Sequence, residues 1–269
     1  MFIRRGLTWL RDKVASSARN FLLKIIASGP VPRHVAFVLD GNRRYARKHH
    51  KPIFQGHSDG FLALRRMLEI CLRLNVRCVS AYVFSIENYK RQEDEVAALM
   101  GLAEEKLIEI TQHGDLLDEY GVRLNIVGNK KLLPEAVQKV ARQAEDMTRH
   151  NKRAILNLHM SYTSRDEIAT AVSSCVREAL RDDLADPRIT EKDIDSQLMT
   201  SLGGSPPLDI LIRPSGVKRL SDYMLWQCSE DTQIQFCPTY WPDFGLFDFI
   251  PIILDYQRKI WNTRRRISL

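Results

Sequence analysis

The stretch HVAFVLDGNRRYA, residues 34–46, contains the pattern that decides the fold. Its first half is a continuous apolar run, which is typical of a strand buried on both faces of a parallel sheet. Asp40 and Gly41 end that run, and a polar helical pattern follows them. Because ligands of open parallel sheets bind beyond the carboxyl ends of the strands, this turn is the first candidate functional site.

Apolar strand patterns alternate with amphipathic helix patterns along the rest of the chain. The predicted strands are residues 34–39, 77–84, 122–127, 154–160, 209–212 and 232–236. The predicted helices are residues 59–74, 93–120, 134–149, 165–181, 190–202 and 247–261. This alternation predicts an α/β fold, in which helices surround a mostly parallel central sheet of about six strands.

The composition suits one domain with a substantial core, since the chain has 269 residues and 44% of them are hydrophobic. The five cysteines show no CxxC spacing, so we expect reduced packing residues without a disulfide or metal role. The formal net charge of +7 favours an anionic partner. Composition alone leaves nucleic acid, anionic lipid and phosphorylated substrates open.

Residues 1–29 are predicted to form an amphipathic helix, and residues 30–269 the globular domain. The apolar positions with nearly helical spacing are Ile3, Leu7, Leu10, Val14, Phe21 and Ile25. Basic residues occupy the other faces, which suits a helix lying on a membrane surface and equally one packing on its own domain or on a partner. No apolar run reaches the roughly 18–20 residues that span a bilayer, and the segment does not resemble a signal peptide.

The turn after the first strand offers three groups that a diphosphate site needs. The carboxylate of Asp40 can hold a hard cation such as Mg²⁺, and Gly41 lets the backbone approach a ligand closely. Arg43 and Arg44 can donate charge-assisted hydrogen bonds to phosphate oxygens. Taken alone, the segment is more simply a solvated basic turn or a nucleic-acid patch, because the basic run continues through residues 47–51.

Similar polar groups stand elsewhere at predicted element ends. His57 precedes a predicted helix, where it can hydrogen-bond a leaving diphosphate or serve a structural role. After the second and fifth strands come Ser85, Asn88, Arg91, Arg213, Arg219 and Ser221. An ordinary loop explains each group by itself, but their recurrence at strand ends predicts one shared anion and metal site.

The segment Asp182–Asp186 spells DDxxD, a magnesium-diphosphate motif of all-helical prenyltransferases. That chemistry needs two such motifs on facing helices, whereas here one precedes Pro187 in a chain with an α/β pattern. We therefore interpret it as a solvated loop.

Four segments together resemble the cis-prenyltransferase family, the undecaprenyl and dehydrodolichyl diphosphate synthases, and in particular the eukaryotic catalytic subunits. They are residues 38–46, with DGNRRYA; 84–91, with FSIENYKR; 213–227, with RPSG and RLSDYMLWQ; and 241–244, with WPDF. Their order and spacing hold over nearly the whole domain. The resemblance implies the family's fold and a magnesium-dependent condensation of isopentenyl diphosphate with an allylic primer, farnesyl diphosphate, to give a long polyprenyl chain.

The resemblance also implies residue roles. Asp40 would bind Mg²⁺ and act in catalysis. His57, Ser85 and Asn88 would line the reaction centre as further catalytic residues. The allylic diphosphate would be held by Gly41, Asn42, Arg43, Arg44 and Arg91. Isopentenyl diphosphate would be held by Arg213, Arg219 and Ser221.

The family's product tunnel runs between the sheet and the helices. Candidate lining residues are Phe61, Leu64, Leu68, Leu99, Met100, Leu102 and Val127. Plain core packing is the alternative for the same residues.

Three departures from the family pattern matter. Ile53 stands where many members have an arginine, and Gln233 stands where bacterial members have a magnesium-binding glutamate. Residues 264–269, RRRISL, lack the RxG motif that completes the isopentenyl site in one-chain members. We therefore expect a heteromer whose accessory subunit, resembling the Nogo-B receptor, supplies that motif.

The expected location is the cytosolic face of the endoplasmic reticulum membrane, in dolichol synthesis for protein glycosylation, with the N-terminal helix contacting the membrane surface. A non-catalytic scaffold subunit of the same family is the alternative. Nucleic acid is not an expected partner, because nucleic-acid binding explains neither Asp40 nor the Arg213 loop.

Overall fold

The computed structural model describes residues 17–113, 115–181 and 188–267, and among them it has six strands in one all-parallel sheet. The strands are β1 His34–Val38, β2 Cys78–Ser85, β3 Val122–Val127, β4 Ala154–Tyr162, β5 Ile210–Arg213 and β6 Gln233–Phe236. Their order across the sheet is β3-β4-β2-β1-β5-β6. The predicted α/β class and each predicted strand are confirmed, and β1 lies between β2 and β5.

Helices flank both faces of this sheet. The first described helix, α1, covers residues 17–27. The others are α2 Asn42–Lys48, α3 Ile53–Arg73, α4 Glu93–His113, α5 Asp115–Glu119, α6 Glu135–Thr148, α7 Ser164–Arg181, α8 Glu191–Ser196, α9 Met199–Leu202 and α10 Leu246–Ile267. The DDxxD segment at residues 182–186 lies outside the described residues.

Two helix predictions differ from the structure. The helix predicted over residues 190–202 is two helices, α8 and α9, and Thr190 caps α8 with a capping box. The helix predicted to begin at Asp59 begins at Ile53, after Pro52. Gly56 made this start look like a loop, but a Cβ there would come within 2.5 Å of the Asn42 carbonyl oxygen. The glycine therefore serves close packing of α3 against α2.

Residues 17–27 pack against the domain. Leu23 and Ile26 are buried in the main core, and Gln257 Nε2 of α10 donates to the Ile26 carbonyl at 2.7 Å. Phe21 and Ile25 are exposed. The described part of the N-terminal helix thus packs on its own domain with one face and presents an apolar pair with another. Residues 1–16 lie outside the described part.

The sheet separates two apolar clusters. Val35 and Phe37 of β1 join the larger one, beneath α3 and α10, while Ala36 and Val38 join a smaller one with Tyr82 and other aromatic residues. This alternation follows from the two-residue period of a strand. Within the described part of the chain, no helix combines the length and the apolar composition needed to cross a bilayer.

The described cysteines fit the packing role expected of them. All five are free thiols, and Cys71, Cys78 and Cys175 are buried. Burial raises the pKa of Cys78 to about 12, so its thiol is protonated and unreactive at neutral pH.

Candidate active site

Asp40 and Arg213 meet at the carboxyl ends of neighbouring strands. Asp40 follows β1 and Arg213 ends β5, which pair in parallel. Arg213 Nη2 lies 2.9 Å from Asp40 Oδ2, and Arg44 Nη2 lies 3.3 Å from Oδ1. Burial opposes ionisation of Asp40, but the hydrogen bond and charge of Arg213, aided by Arg44, lower its pKa. The carboxyl group is therefore ionised at neutral pH.

Gly41 is required by the turn that follows. Its φ is +96°, and a Cβ there would come within 2.9 Å of both Ser215 Cβ and Tyr240 Cδ1. The Trp241 amide donates to the Asp40 carbonyl at 3.1 Å, so the WPDF segment braces the turn from outside. Gly41 is the N-cap of α2 and Asn42 is its first residue.

The three residues predicted to hold isopentenyl diphosphate form one network. The buried Arg213 donates through Nη1 to Ser221 Oγ at 2.6 Å and to the Arg219 carbonyl. Arg219 Nε also donates to Ser221 Oγ, at 3.2 Å. Arg213 Nε is buried without a hydrogen-bond partner. A basic group this constrained can present donors to an anion with little rearrangement.

Ser215 and Tyr240 belong to the site although the sequence analysis gave them no role. Arg44 donates to Ser215 Oγ at 2.7 Å and to its carbonyl at 3.0 Å, and its guanidinium lies 5.4 Å from the Tyr240 ring centre. Their positions beside Arg213 and the WPDF segment were the available signal. Which loop a distant arginine contacts cannot be read from strand and helix patterns.

His57 and Asn42 form the second half of the site. Asn42 Nδ2 lies 3.4 Å from His57 Nδ1, and both Asn42 Oδ1 and His57 Nε2 are buried without a hydrogen-bond partner. Burial and the positive charge of Arg91 lower the pKa of His57 to about 4, although Glu95 opposes this. The imidazole is therefore neutral at pH 7. His57 lies inside α3, so the prediction that it precedes the helix was wrong.

Arg43 and Arg91 converge on Glu95, another residue that the sequence analysis missed. Arg91 Nη1 lies 2.8 Å from Glu95 Oε1, and Arg43 Nη1 lies 3.5 Å from the same oxygen. The spacing of Arg91 and Glu95, four residues apart at a helix start, was a signal that could have found it. Two guanidinium groups are thus held side by side next to His57.

Ser85 and Asn88 cap the 3-10 turn that follows β2. Ser85 Oγ accepts from the Glu87 amide at 3.2 Å, and Asn88 Oδ1 accepts from the Ser85 amide at 3.1 Å. Because β2 pairs with β1, this places both residues on the same rim of the sheet as Asp40 and Arg213. Their geometry accounts for a turn-forming role, while the reaction-centre role remains a prediction.

An apolar cavity of about 90 Å³ opens beside Asn42 and His57. Five of the predicted tunnel residues line it, namely Phe61, Leu64, Leu99, Met100 and Leu102. Leu68 instead packs in the core, and Val127 lies in the smaller cluster. The Val127 prediction was wrong because Ile126, its neighbour in β3, takes the face that joins the larger core.

Two of the three departures from the family pattern, Gln233 and Ile53, lie away from Asp40. Gln233 begins β6 opposite Ile210, at the far end of the strands, and its Nε2 donates to Asp255 of α10 at 2.7 Å. Ile53 is exposed at the start of α3. Lys51, which is close to Ile53 in sequence, forms an ion pair with Asp59 at 2.7 Å and does not extend to the arginines of the site.

The ionised carboxylate of Asp40 has the chemistry of a Mg²⁺ ligand. Among the described residues, no three His, Cys, Asp or Glu side chains form a metal-binding group. Mg²⁺ needs no such cage, because it commonly binds through one or two carboxylates and the phosphates of a substrate. An ionised carboxylate beside several arginines, at the rim of a parallel sheet, is suited to that arrangement.

Comparisons with known proteins agree with this architecture. Residues 38–265 match the family model described as "Putative undecaprenyl diphosphate synthase". A dehydrodolichyl diphosphate synthase complex subunit of Schizosaccharomyces pombe is 46% identical, covering 93% of each chain. A subunit of the same name from Homo sapiens is 39% identical over 93% of this chain and 74% of that one.

A solved structure shares the fold as well. The crystal structure of lavandulyl diphosphate synthase from Lavandula x intermedia, in complex with dimethylallyl diphosphate, gives a TM-score of 0.78 at 28% identity, covering 84% of this chain and 95% of that one. The family model matches most of the chain, and the S. pombe and human relatives are 46% and 39% identical over 93% of it. The chain therefore belongs to the cis-prenyltransferase family of transferases.

Proposed function

We propose that this chain condenses isopentenyl diphosphate units in cis onto an allylic diphosphate primer, farnesyl diphosphate, to give a long dehydrodolichyl-type polyprenyl diphosphate. The observation that carries the proposal is the Asp40–Arg213 pair at 2.9 Å. Arg44 also contacts Asp40, and the neighbours Leu39 and Asn42 line the apolar cavity. The S. pombe and human relatives are dehydrodolichyl diphosphate synthase complex subunits, which supports the product class.

The two arginine groups suit two diphosphates. Arg43, Arg44 and Arg91 would bind the primer diphosphate, and Arg213, Arg219 and Ser221 that of isopentenyl diphosphate. The double bond of isopentenyl diphosphate supplies the electron pair of the new carbon–carbon bond. The allylic C–O bond breaks with its electron pair leaving on diphosphate, and loss of one proton restores a double bond. Donors held where negative charge develops lower this barrier.

Asp40 would hold Mg²⁺ together with diphosphate oxygens. When bound, the ion neutralises charge on the departing diphosphate. The neutral imidazole of His57 adds no positive charge, but its buried Nε2 has a free hydrogen-bonding position beside Asn42. His57 would therefore orient a bound group by hydrogen bonding.

The apolar cavity would accept the hydrocarbon tail. Each CH₂ group that leaves water for such surroundings gains roughly 0.8 kcal/mol, so the growing chain is drawn inward while its diphosphate stays at the rim. The apolar side chains that line the cavity would also keep water from the allylic carbon, where hydrolysis would compete with condensation.

We also propose that the chain works with an accessory subunit resembling the Nogo-B receptor, peripherally on the cytosolic face of the endoplasmic reticulum. The complex is supported by the names of the relatives, which are called subunits of a complex. The membrane contact is supported by the exposed Phe21 and Ile25, which share α1 with Arg19 and Lys24.

One observation favours a second candidate, a non-catalytic scaffold. Gln233 stands where bacterial members have a magnesium ligand, and here its side-chain amide donates a hydrogen bond to Asp255. Incubating the chain with farnesyl diphosphate, labelled isopentenyl diphosphate and Mg²⁺, with and without the accessory subunit, separates the two. Polyprenyl product in either mixture supports the enzyme, and none from a folded chain in both supports the scaffold.

Replacing the central carboxylate tests the site directly. Asp40→Ala should reduce turnover by at least about 100-fold, as is typical when a group that stabilises the transition-state charge is lost. Asp255→Ala is the matched control, because its carboxylate is 25% exposed against 26% for Asp40 and also pairs with two cationic side chains. Normal turnover by a folded Asp40→Ala protein would remove Asp40 from the mechanism.

A further inference from the structure

The loop that presents Ser221 to Arg213 contains three left-handed residues that are not glycine. The φ angles are +54° at Ser221, +59° at Asp222 and +49° at Met224. Residues with a Cβ rarely adopt this conformation, and it persists where surrounding contacts enforce it. The position of Ser221 therefore depends on what holds this loop.

Asp222 fastens the loop to the first turn of α7. The Ser164 amide donates to the Asp222 carbonyl at 2.8 Å, the Arg165 amide to Oδ1 at 3.1 Å, and Arg165 Nε to Oδ2 at 2.7 Å. Ser164 Oγ in turn accepts from the Leu225 amide at 2.8 Å. Both the backbone and the side chain of Asp222 are thus held by one helix start.

Arg165 also approaches the loop after β2. Its Nη2 lies 3.9 Å from Glu87 Oε1, and Glu87 stands between Ser85 and Asn88. Since Arg165 itself follows β4, one side chain joins segments at the carboxyl ends of β2, β4 and β5. These segments include both the predicted reaction-centre turn and the isopentenyl diphosphate loop.

Tyr223 anchors the loop from the opposite side. Its ring is fully buried and stacks on Tyr82, with ring centres 4.3 Å apart and planes 8° apart. Its hydroxyl lies 3.3 Å from His159 Nδ1. This contact fixes the chain at Tyr223, but it does not involve the backbone of Asp222, the residue that joins Tyr223 to Ser221. The bonds to α7 supply the missing restraint.

We propose that Asp222 and Arg165 are positioning residues, which hold Ser221 against Arg213 and so set the geometry of the isopentenyl diphosphate site without contacting substrate. The inference rests on the proposed function, since it refines one of the two diphosphate sites. Arg43 and Arg91 are held by Glu95 and not by this loop. The direct contact of Arg165 on the primer side is the longer one, at 3.9 Å to Glu87, so the isopentenyl diphosphate site depends more strongly on the Asp222–Arg165 pair.

The test is a kinetic comparison of Arg165→Ala, Asp222→Ala and Asp222→Asn with the wild-type chain, in the assembly that supports turnover. Arg258→Ala is the matched control, because Arg258 is 73% exposed and 2.6 Å from Asp255, whereas Arg165 is 74% exposed and 2.7 Å from Asp222. For each protein, kcat and the KM of both substrates are measured. Calorimetric titration with inorganic diphosphate gives an affinity that does not depend on turnover.

Arg165→Ala should raise the KM for isopentenyl diphosphate roughly tenfold, the scale of a small misplacement of a binding group. The KM for the primer should stay within about twofold, and Arg258→Ala should match the wild type in both. Asp222→Asn should be milder than Asp222→Ala, because asparagine tolerates the left-handed conformation and keeps an acceptor for the Arg165 amide.

Equal changes in the KM of both substrates, or a fall in kcat alone, would overturn the positioning role. If Asp222→Ala does not fold, Arg165→Ala and Asp222→Asn decide the question. If the wild type binds diphosphate but makes no product, the proposed function fails by itself. The titration then tests the inference separately. Weaker diphosphate binding by Arg165→Ala supports the positioning role, and unchanged binding refutes it.

Discussion

At the scale of single residues, the site carries more positive than negative charge. Its arginines are Arg43, Arg44, Arg91, Arg213 and Arg219, and its carboxylates are Asp40 and Glu95. Such an excess at the rim of a sheet attracts multiply charged anions and raises their local concentration. A pair of diphosphates, each bringing several negative charges, matches it better than a single carboxylate ligand does.

The two carboxylates differ in how firmly they hold their arginines. Glu95 pairs with Arg43 and Arg91 where solvent reaches, and such pairs contribute about 0–1 kcal/mol. A diphosphate can displace Glu95 at little cost. Arg213 is buried, so loss of its partner Asp40 would leave an unpaired buried charge, which costs about 3–5 kcal/mol of stability. We infer that the primer side adapts while the Asp40–Arg213 side stays fixed.

Gly41 supports a prediction about the turn. Gly41→Ala should reduce the free energy of unfolding by more than the roughly 1–3 kcal/mol of a strained left-handed residue, because the new Cβ also meets Ser215 and Tyr240 at 2.9 Å. Urea denaturation measures the change. Gly216→Ala is the control, since its φ is +72° and no atom lies within 4 Å of the added Cβ. Equal losses in the two variants would show that crowding at Gly41 has no effect.

At the scale of secondary-structure elements, an irregularity in β2 shapes the cavity. The register of β2 against β4 shifts between Tyr82 and Phe84, and Val83 stands at the shift. Bulges of this kind re-aim a side chain and are frequent near active sites. Val83 lines the cavity and is 38% exposed although β2 is a central strand. The irregularity thus widens the space beside α4 where the product chain would lie.

Narrowing this space should shorten the product. Val83→Phe adds a ring to a cavity of about 90 Å³, so the growing tail should meet the wall after fewer additions. The measurement is the chain-length distribution of labelled products after chromatography. Val172→Phe on α7 is the control, because Val172 is 37% exposed and does not line the cavity. An unchanged distribution in Val83→Phe would place the tail elsewhere.

At the scale of the whole molecule, the fold was predictable because each strand carried its own signal. The apolar run of residues 35–38 is buried on both faces, as a parallel sheet requires. Residues 154–160 are also largely buried, although Asn157 and His159 interrupt their apolar pattern. The convergence of Asp40 and Arg213 also followed, since both stand at carboxyl ends of strands. The start of α3 did not follow, because Gly56 serves a contact with α2 that local sequence does not encode.

The missed site residues share a physical reason. Ser215, Tyr240 and Glu95 act by contacting an arginine side chain, and a long side chain can reach several loops. Sequence periodicity predicts the face on which a residue lies, but not the partner that its guanidinium selects. The prediction that Val127 lines the tunnel was wrong for a similar reason, since a shift of one position along a strand changes the face to which a side chain points.

The whole molecule also carries buried neutral histidines that make its stability depend on pH. The neutral His34 donates through Nδ1 to the Pro206 carbonyl and accepts at Nε2 from Ser80 Oγ, both at 2.8 Å. Burial lowers its pKa from 6.5 to about 4. Burial likewise lowers the pKa of His159 to about 3. Between pH 6.5 and 4 these histidines therefore bind protons in the unfolded chain but not in the folded one. The free energy of unfolding is therefore highest above pH 6.5 and decreases as the pH is lowered.

Removing His34 should weaken this acid response. Folding lowers the pKa of His34 from 6.5 to about 4, so this one residue makes the free energy of unfolding about 2 kcal/mol smaller at pH 5 than at neutral pH. The free energy of unfolding, measured in urea at pH 7 and pH 5, should therefore differ by about 2 kcal/mol less in His34→Gln than in the wild type. The exposed His150 gives the control, because His150→Gln should retain the full difference. If the free energy of unfolding of His34→Gln fell between pH 7 and pH 5 as much as that of the wild type, His34 would have to become protonated in the folded protein in spite of its burial in β1.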